Sequence, residues 1–248
     1  MELLLNEEQT LLQQSVRAFG RRLDGGAGMR RLATLPGRFP AREFEEAAGA
    51  GLLGLLLPPE KDGSGLGLTE LCLVAEELGA ALSALPLTPA IGGIVALADS
   101  AAPLPAGLLD AALAGKALVV PAFASSATGD EQPIACTGKG SQDVLSGTRV
   151  AVPAASAAMG FIVNAAIGGD AALIYVPRDC PGVRVVEKMA IDGTVLGDVV
   201  LDGAPLAGTV LLARGPAAQA LKRKIDIVLN FALAAELLGL MQAAAGSD

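Results

Sequence analysis

Two changes in the hydrophobic pattern divide this chain into three parts, and no other feature constrains its fold as strongly. Before Ala117 the apolar residues recur at helical spacing, whereas after it they form short runs separated by Gly, Pro, Asp or Asn. Helical spacing returns at Gly215 and Pro216. This order predicts an α+β fold. We expect an all-helical domain at residues 1–115, an antiparallel β-barrel or sandwich at 116–213, and the first helix of an incomplete helical bundle at 214–248.

The first domain contains short amphipathic segments with recognisable ends. Asn6 can cap the first helix in a capping box with Gln9, and this helix is expected to end near Gly25. Residues 27–39 are interpreted as an irregular linker. Pro40 then opens a second helix with an apolar face. Further helices are predicted at 69–79, 90–98 and 108–113.

The stretch at 51–79 joins an apolar run, a break at two prolines, a Gly-rich loop and the third helix. Thr69 is expected to be the N-cap, with Glu70 at the positive end of the helix dipole. Glu76 and Glu77 are expected to face water, because the apolar residues of this helix share the opposite face. Those apolar residues are Leu71, Val74, Ala75 and Leu78.

The loop within this stretch reads GSGLG and permits two interpretations. A dinucleotide-binding fingerprint requires the spacing G-x-G-x-x-G directly after a strand, whereas here the spacing is G-x-G-x-G after a Pro-Pro break. The spacing by itself therefore favours a tight turn over a phosphate site.

The middle part contains seven short apolar runs that are rich in β-forming residues and bounded by turn signals. Such regular punctuation is typical of a β-sandwich or barrel. The predicted strands lie at 117–123, 143–152, 160–166, 171–176, 183–186, 198–201 and 209–212.

The last segment predicts one long helix whose apolar surface is wider than a single partner can cover. Asp226, Asn230 and Glu236 interrupt it, so we interpret it as a helix of a soluble protein, buried among others, and not as a membrane span. One face is expected to contain Leu221, Ile225, Val228, Ala232 and Ala235, with Leu229, Leu233 and Leu237 beside it.

Composition excludes several classes of function. The chain has no His, which removes Ser-His and Cys-His triads and the H-E-x-x-H zinc site, so a general base must be a carboxylate. The net charge of −8 disfavours nucleic acid and anionic membrane surfaces as partners. Three widely spaced Cys without a C-x-x-C suit buried thiols in a reducing compartment and predict no metal site. Since no signal peptide is visible at the N-terminus, we expect a cytoplasmic protein.

Four segments together resemble the acyl-CoA dehydrogenase family, and the resemblance covers essentially the whole chain. The first is GLLGLLLPPEKDGSGLG with the following EELG, which is similar to the family's G-[LI]-x-G-[LI]-x-x-P-E-x-x-G-G-x-G run and acidic helix. The order of helical domain, β domain and helix is also the same. The other segments read VLSGTRVAVPAASAAMGFIVNA, PGVRVVEKMAIDGTVLGDVVLDGAPL and ALAAELLGLMQAA.

The resemblance implies a flavoprotein that binds FAD and desaturates an acyl-CoA thioester between the α and β carbons. A carboxylate would remove the α-proton while a hydride passes to the flavin. By position, the cofactor-binding residues implied are Phe123, Ala124 and Ser125 in one segment and Ala151, Val152 and Pro153 in another.

This chain departs from the family at those same segments. Ala124 stands where the family usually has a Thr hydroxyl, and Ala151 stands where many members have an aromatic residue against the flavin ring. An Ala side chain offers almost no stacking area. The family's catalytic Glu and diphosphate-binding Arg follow the part that this chain matches. The catalytic residue is therefore unassigned, and we expect FAD binding to be weak or lost.

The remaining charged residues have ordinary explanations. Glu236 is interpreted as a polar position on the last helix, and Glu60 and Asp62 as solvated loop charges. The cluster of Lys222, Arg223 and Lys224 is a candidate phosphate contact, although a charge run at a helix start is more often a solvated face.

Two interpretations of different class remain open. One is a flavin-dependent acyl-CoA dehydrogenase. The other is a non-catalytic or truncated subunit that pairs with a complete homologue, which supplies the flavin site and the base. Both predict a homo-oligomer or a hetero-oligomer with a longer homologue, because the last helix needs a cover.

Overall fold

The computed structural model describes residues 4–23, 25–32, 34–35, 38–138, 142–191 and 193–246. The helices are α1 (Glu7–Arg21), α2 (Gly25–Leu32), α3 (Ala41–Gly49), α4 (Leu68–Ala80), α5 (Leu87–Ala98), α6 (Leu108–Leu113) and α7 (Pro216–Ala245). The strands are β1 (Val119–Ala122), β2 (Ile134–Thr137), β3 (Val144–Pro153), β4 (Gly160–Ile167), β5 (Asp170–Pro177), β6 (Val183–Met189), β7 (Val195–Pro205) and β8 (Val210–Arg214). The predicted α+β class is confirmed, with N-terminal helices, a middle sheet and a long C-terminal helix.

Helix α1 begins as its sequence predicts. The side chain of Asn6 accepts a hydrogen bond from the Gln9 amide at 2.8 Å, and the Gln9 side chain accepts one from the Asn6 amide at 3.1 Å. This reciprocal arrangement satisfies two amides that a helix start otherwise leaves unpaired. Val16 and Phe19 then pack into the core.

Glu77 on α4 does not face water, contrary to the sequence prediction. Its side chain is 7% exposed and accepts two hydrogen bonds from the Arg17 guanidinium of α1, at 2.6 and 2.8 Å. The paired carboxylate raises the pKa of Arg17. A two-pronged pair of this kind fixes geometry as well as charge, so it joins α1 to α4.

Two local predictions in this part are wrong. Residues 25–32 form helix α2 instead of an irregular linker; residues 33, 36 and 37 of that predicted linker lie outside the described residues. Helix α4 begins at Leu68 with Gly67 as its N-cap, so Thr69 is not the cap. The Glu70 carboxylate accepts the Gly67 amide at 2.9 Å, which replaces the hydroxyl contact that Thr69 was expected to make.

The strands form one sheet in the order β6-β7-β3-β2-β4-β5-β8, with β1 also beside β4. Most neighbours are antiparallel, as predicted, but β1 and β2 both run parallel to β4. The two strands lie end to end along β4: Val119 pairs with Gly160, and Ile134 pairs with Ala165 further along the same strand. The sequence did not reveal β2, because only Ile134 of its four residues is buried.

Helix α7 packs one stripe of its surface against α4, α5 and the sheet. The predicted face of Leu221, Ile225, Val228, Ala232 and Ala235 is buried, together with Ala218 and Gly239. These seven positions are three or four residues apart, which places them in one seam.

The rest of the α7 surface is apolar and exposed. Within the described chain, α7 is the one helix long and apolar enough to cross a membrane, with a mean hydropathy of 1.7 in its most apolar window, of which 17% is buried. The expectation that this helix is buried among others is therefore met on one side only. The exposed large side chains are Ile227, Phe231, Leu233, Leu237, Leu238 and Met241, which we call the α7 outer face.

A candidate site between the helices and the sheet

A cavity of about 450 Å³ lies where α4, α5, α7 and the sheet meet. Its size falls within the range of small-molecule sites. The walls are mostly apolar, and the charged side chains among the lining residues are Arg38 and Glu236. The apolar lining includes Leu32, Phe39, Leu82, Leu85, Pro86, Pro89, Pro153, Ala154, Ala157, Val195, Leu196, Leu233 and Leu240.

Glu236 supplies the one carboxylate of this lining. It extends from α7 and accepts a hydrogen bond from the hydroxyl of Thr88 on α5, at 3.5 Å between oxygens. Burial raises the pKa of this carboxyl, and the Thr88 hydrogen bond opposes the rise only in part. The sequence placed Glu236 at a polar position but did not reveal its partner, because Thr88 is 148 residues away.

A close helix crossing determines where Glu236 stands. A methyl group on Gly79 of α4 would overlap the backbone carbonyl of Glu236, and one on Gly239 of α7 would overlap that of Glu76. Because neither glycine has a side chain, the two backbones approach to contact distance. Glu236 thus lies where α7 crosses α4 at contact distance.

The structure brings together the two segments that the resemblance assigns to the flavin. The backbone amide of Val150 donates to the carbonyl of Ala124 at 2.8 Å, which aligns the segment after β1 with the end of β3. Ala151 and Pro153 are exposed, whereas Val152 is buried. Pro153 also lines the cavity. A ring on this surface would therefore border the cavity.

The side chains of the first segment are occupied by neighbours. The Ser125 hydroxyl donates to the Asp130 carbonyl at 2.8 Å and accepts the Gln132 amide at 3.0 Å, so its proton is not free for a ligand. Phe123 is buried, with the Lys222 amine 4.7 Å from its ring centroid. The Ser125 amide also donates to the Asp130 carbonyl, at 2.6 Å, so both the hydroxyl and the amide of Ser125 are paired within the protein.

Arg149 supports the loop beside the candidate site, a role that the sequence did not indicate. Its side chain is 2% exposed and its guanidinium donates to the carbonyl of Gln132 at 2.7 Å and to that of Asn164 at 3.1 Å. Burial lowers its pKa to about 10. These bonds tie to the sheet the loop after Ser125, which directly follows the segment that the resemblance assigns to the flavin.

The basic cluster at the start of α7 is largely paired. Lys222 contacts the carboxylates of Glu131 at 2.5 Å and Asp226 at 2.8 Å, while Lys224 contacts Asp99 at 2.6 Å. Neutralised cations attract a phosphate weakly. The arrangement therefore favours a solvated, paired face.

The Gly-rich loop is a packed turn. A methyl group on Gly63 would overlap the carbonyl of Leu57, so this loop folds directly onto the preceding apolar run. The side chains of Glu60 and Asp62 are exposed, as the sequence predicts. Among the described residues, no group of three or more Cys, Asp or Glu side chains is placed to hold a metal ion.

Comparison with known proteins identifies relatives. The family description "Acyl-CoA dehydrogenase, N-terminal domain" matches residues 6–100. An L-evernosamine nitrososynthase from Micromonospora sp. (strain ATCC 39149 / NRRL 15099 / SCC 1413) is 32% identical over 203 residues, which are 73% of this chain and 47% of that protein. This chain therefore spans about half the length of that curated relative.

Solved structures share the fold over nearly the whole chain. A G363A variant of the Tcur3481-Tcur3483 steroid ACAD is 31% identical with a TM-score of 0.82, covering 96% of this chain and 64% of that one. The ChsE4-ChsE5 complex from Mycobacterium tuberculosis is 25% identical with a TM-score of 0.84, covering 98% and 66%. Both structures extend beyond the length that this chain matches.

Proposed function

Because this chain belongs to the acyl-CoA dehydrogenase family, we propose that it binds an acyl-CoA thioester for FAD-dependent α,β-desaturation. The observation that supports this most is the position of Pro153: it belongs to a segment that the resemblance assigns to the flavin, and it lines the apolar cavity. An acyl chain in that cavity would place its carbon atoms beside the ring.

Each part of the site has a distinct role in this proposal. The apolar walls from α4, α5 and the sheet hold the acyl group and exclude water. By the resemblance, the segment of Phe123, Ala124 and Ser125 and the surface of Ala151–Pro153 would border the isoalloxazine ring. When bound, FAD supplies the hydride acceptor.

No residue of this chain is assigned as the base that removes the α-proton. In the resemblance, the catalytic Glu follows the segment that this chain matches, so Glu236 is not assigned that role. The proposal also includes a role in lipid metabolism and a cytoplasmic location. The relative from Micromonospora is named a nitrososynthase, so the acyl-CoA substrate is proposed on the resemblance and not on that relative.

A second candidate function is a subunit that pairs with a longer homologue, which contributes the flavin site and the base. The α7 outer face favours it, since Phe231, Leu237 and Met241 are each more than half exposed. Two similar structures carry paired names, Tcur3481-Tcur3483 and ChsE4-ChsE5. Assembly with a second copy of this chain would cover the same face.

FAD is expected to bind this chain weakly and below one equivalent. Ala124 lacks a hydroxyl and Ala151 lacks a ring, so two of the family's contacts are missing. The Ala124→Thr variant is expected to bind FAD about twofold to tenfold more tightly, the value of one added hydrogen bond. Fluorescence titration with FAD measures both affinities.

The matched control for the FAD titration is Ala127→Thr, which adds the same hydroxyl at an exposed position of the same loop. Its affinity should equal that of the wild type. A yellow protein with one equivalent of FAD after gel filtration would contradict the expected weak binding.

Decanoyl-CoA is expected to bind this chain without being oxidised by it. Binding uses the apolar cavity, whereas desaturation also needs a base beside the α-carbon. Calorimetry measures binding, and reduction of an artificial electron acceptor in the presence of FAD measures turnover. Turnover by the chain alone that Glu236→Gln abolishes, with folding intact, would instead assign the base to Glu236. If decanoyl-CoA binds no better than CoA itself, the proposed substrate class is wrong.

A further inference from the structure

The cavity contains an acid, Glu236, whose hydrogen-bonding capacity an unbranched alkyl group would leave mostly unused. Glu236 stands among mostly apolar side chains, and its hydrogen bond to Thr88 is 3.5 Å long. Oxygen-to-oxygen hydrogen bonds are usually about 2.7–2.8 Å long, so this contact uses little of the bonding capacity of the carboxyl. Within the described part of the chain, no salt bridge involves Glu236.

The position of the acid is built and not incidental. Thr88 is 7% exposed and lies in the first turn of α5, where its hydroxyl reaches Glu236. The close crossing of α4 and α7 at Gly79 and Gly239 fixes the position of the α7 backbone that carries Glu236. The carboxyl and the hydroxyl thus form one polar spot on the cavity wall. Among the described lining residues, no other side chain carries a carboxylate.

A polar spot in an apolar cavity disfavours a ligand that covers the spot without forming hydrogen bonds to it. An alkyl group against Glu236 would remove water from the acid without replacing its hydrogen bonds, which lowers affinity by about tenfold to a hundredfold. A group with an oxygen at that point would restore them. The carboxylate form of Glu236 accepts a hydrogen bond from a ligand hydroxyl, and the protonated form also donates one; burial raises the pKa of this carboxyl, which favours the protonated form.

We propose that this cavity takes an acyl group bearing a hydroxyl or oxo oxygen away from the thioester, bound by Glu236 and Thr88. This inference rests on the proposed function for the thioester and goes beyond it in naming the class of acyl group. Glu236 is then a specificity-determining residue.

Calorimetry with decanoyl-CoA and its 6-, 8- and 10-hydroxy derivatives tests the proposal on the full chain. At least one hydroxy derivative is expected to bind about tenfold to a hundredfold more tightly than decanoyl-CoA. The Glu236→Leu variant should lose this preference and bind decanoyl-CoA more tightly than the wild type does. The Glu236→Gln variant should keep most of the preference, because its amide can donate and accept.

The matched control is Glu45→Leu, which removes an exposed Glu on α3 outside the cavity. It should leave every affinity unchanged. Equal affinity of the wild type for all four thioesters, or a preference that survives Glu236→Leu, overturns the inference. If Glu236→Leu does not fold, loss of the preference in Thr88→Val supports the proposal and its full retention there contradicts it.

Methyl decanoate and the corresponding methyl hydroxydecanoates separate failure of this inference from failure of the proposed function. A hydroxyl preference among the methyl esters, with no binding of any CoA ester, would keep the polar spot and contradict the acyl-CoA substrate. No preference in either series would contradict the polar spot itself. Measurable turnover by the wild type that folded Glu236→Gln loses with every substrate would assign the base to this residue and overturn its recognition role.

Discussion

Gly239→Ala is expected to lower the free energy of unfolding by about 3 kcal/mol, at the upper end for overpacked sites. The added methyl group would overlap the backbone carbonyl of Glu76 and lie 2.8 Å from the Ala80 nitrogen. Backbone atoms of a packed helix cannot rotate away as a side chain can, so α4 and α7 must separate. Urea denaturation measures the loss, and thermal unfolding should show a Tm lower by roughly 6–12 °C.

Gly49→Ala is the matched control for this change. Gly49 is also helical, and no heavy atom lies within 4 Å of the position its methyl group would take. Replacing an unhindered helical Gly with Ala should stabilise by up to about 1 kcal/mol. Equal stability of the two variants would show that α4 and α7 are not in contact at Gly239.

Phe231→Glu combined with Leu237→Glu is expected to convert an associating protein into a monomer or to prevent its pairing with a longer homologue. Phe231 is 52% exposed and Leu237 58% exposed, and both belong to the α7 outer face. Burying one such side chain stabilises by about 1.5–3 kcal/mol, so several of them left in water forgo an amount comparable with the stability of a domain. Light scattering at micromolar concentration measures the mass of each protein.

Ala217→Glu with Ala220→Glu adds the same two charges near the exposed start of α7, outside that face, and should leave the mass unchanged. Leu233 is not used because it also lines the cavity. A wild-type protein that is monomeric, with solubility equal to that of the Phe231 and Leu237 variant, would show that the α7 outer face needs no cover.

The sequence by itself determined the elements that depend on local chemistry. The capping box of Asn6 and Gln9 marks the start of α1, and Pro216 marks the start of α7. Both signals act through backbone groups within a few residues, so no distant part of the chain is needed to interpret them. The buried stripe of α7 is predictable for a similar reason, because helical spacing alone places Leu221, Ile225 and Val228 on one side.

The tertiary structure decided the features that depend on which elements meet. The sequence places Glu77 on the polar side of α4, yet Arg17 of α1 lies against that side and makes burial of the carboxylate favourable. The parallel pairing of β1 and β2 with β4 likewise depends on the path of the loop between them. The candidate site belongs to this class. Glu236 and Thr88 lie on different helices. The close crossing of α4 and α7 at Gly79 and Gly239 positions α7 so that the acid faces the cavity. That crossing requires two backbones with no side chains between them, which sequence pattern alone does not reveal.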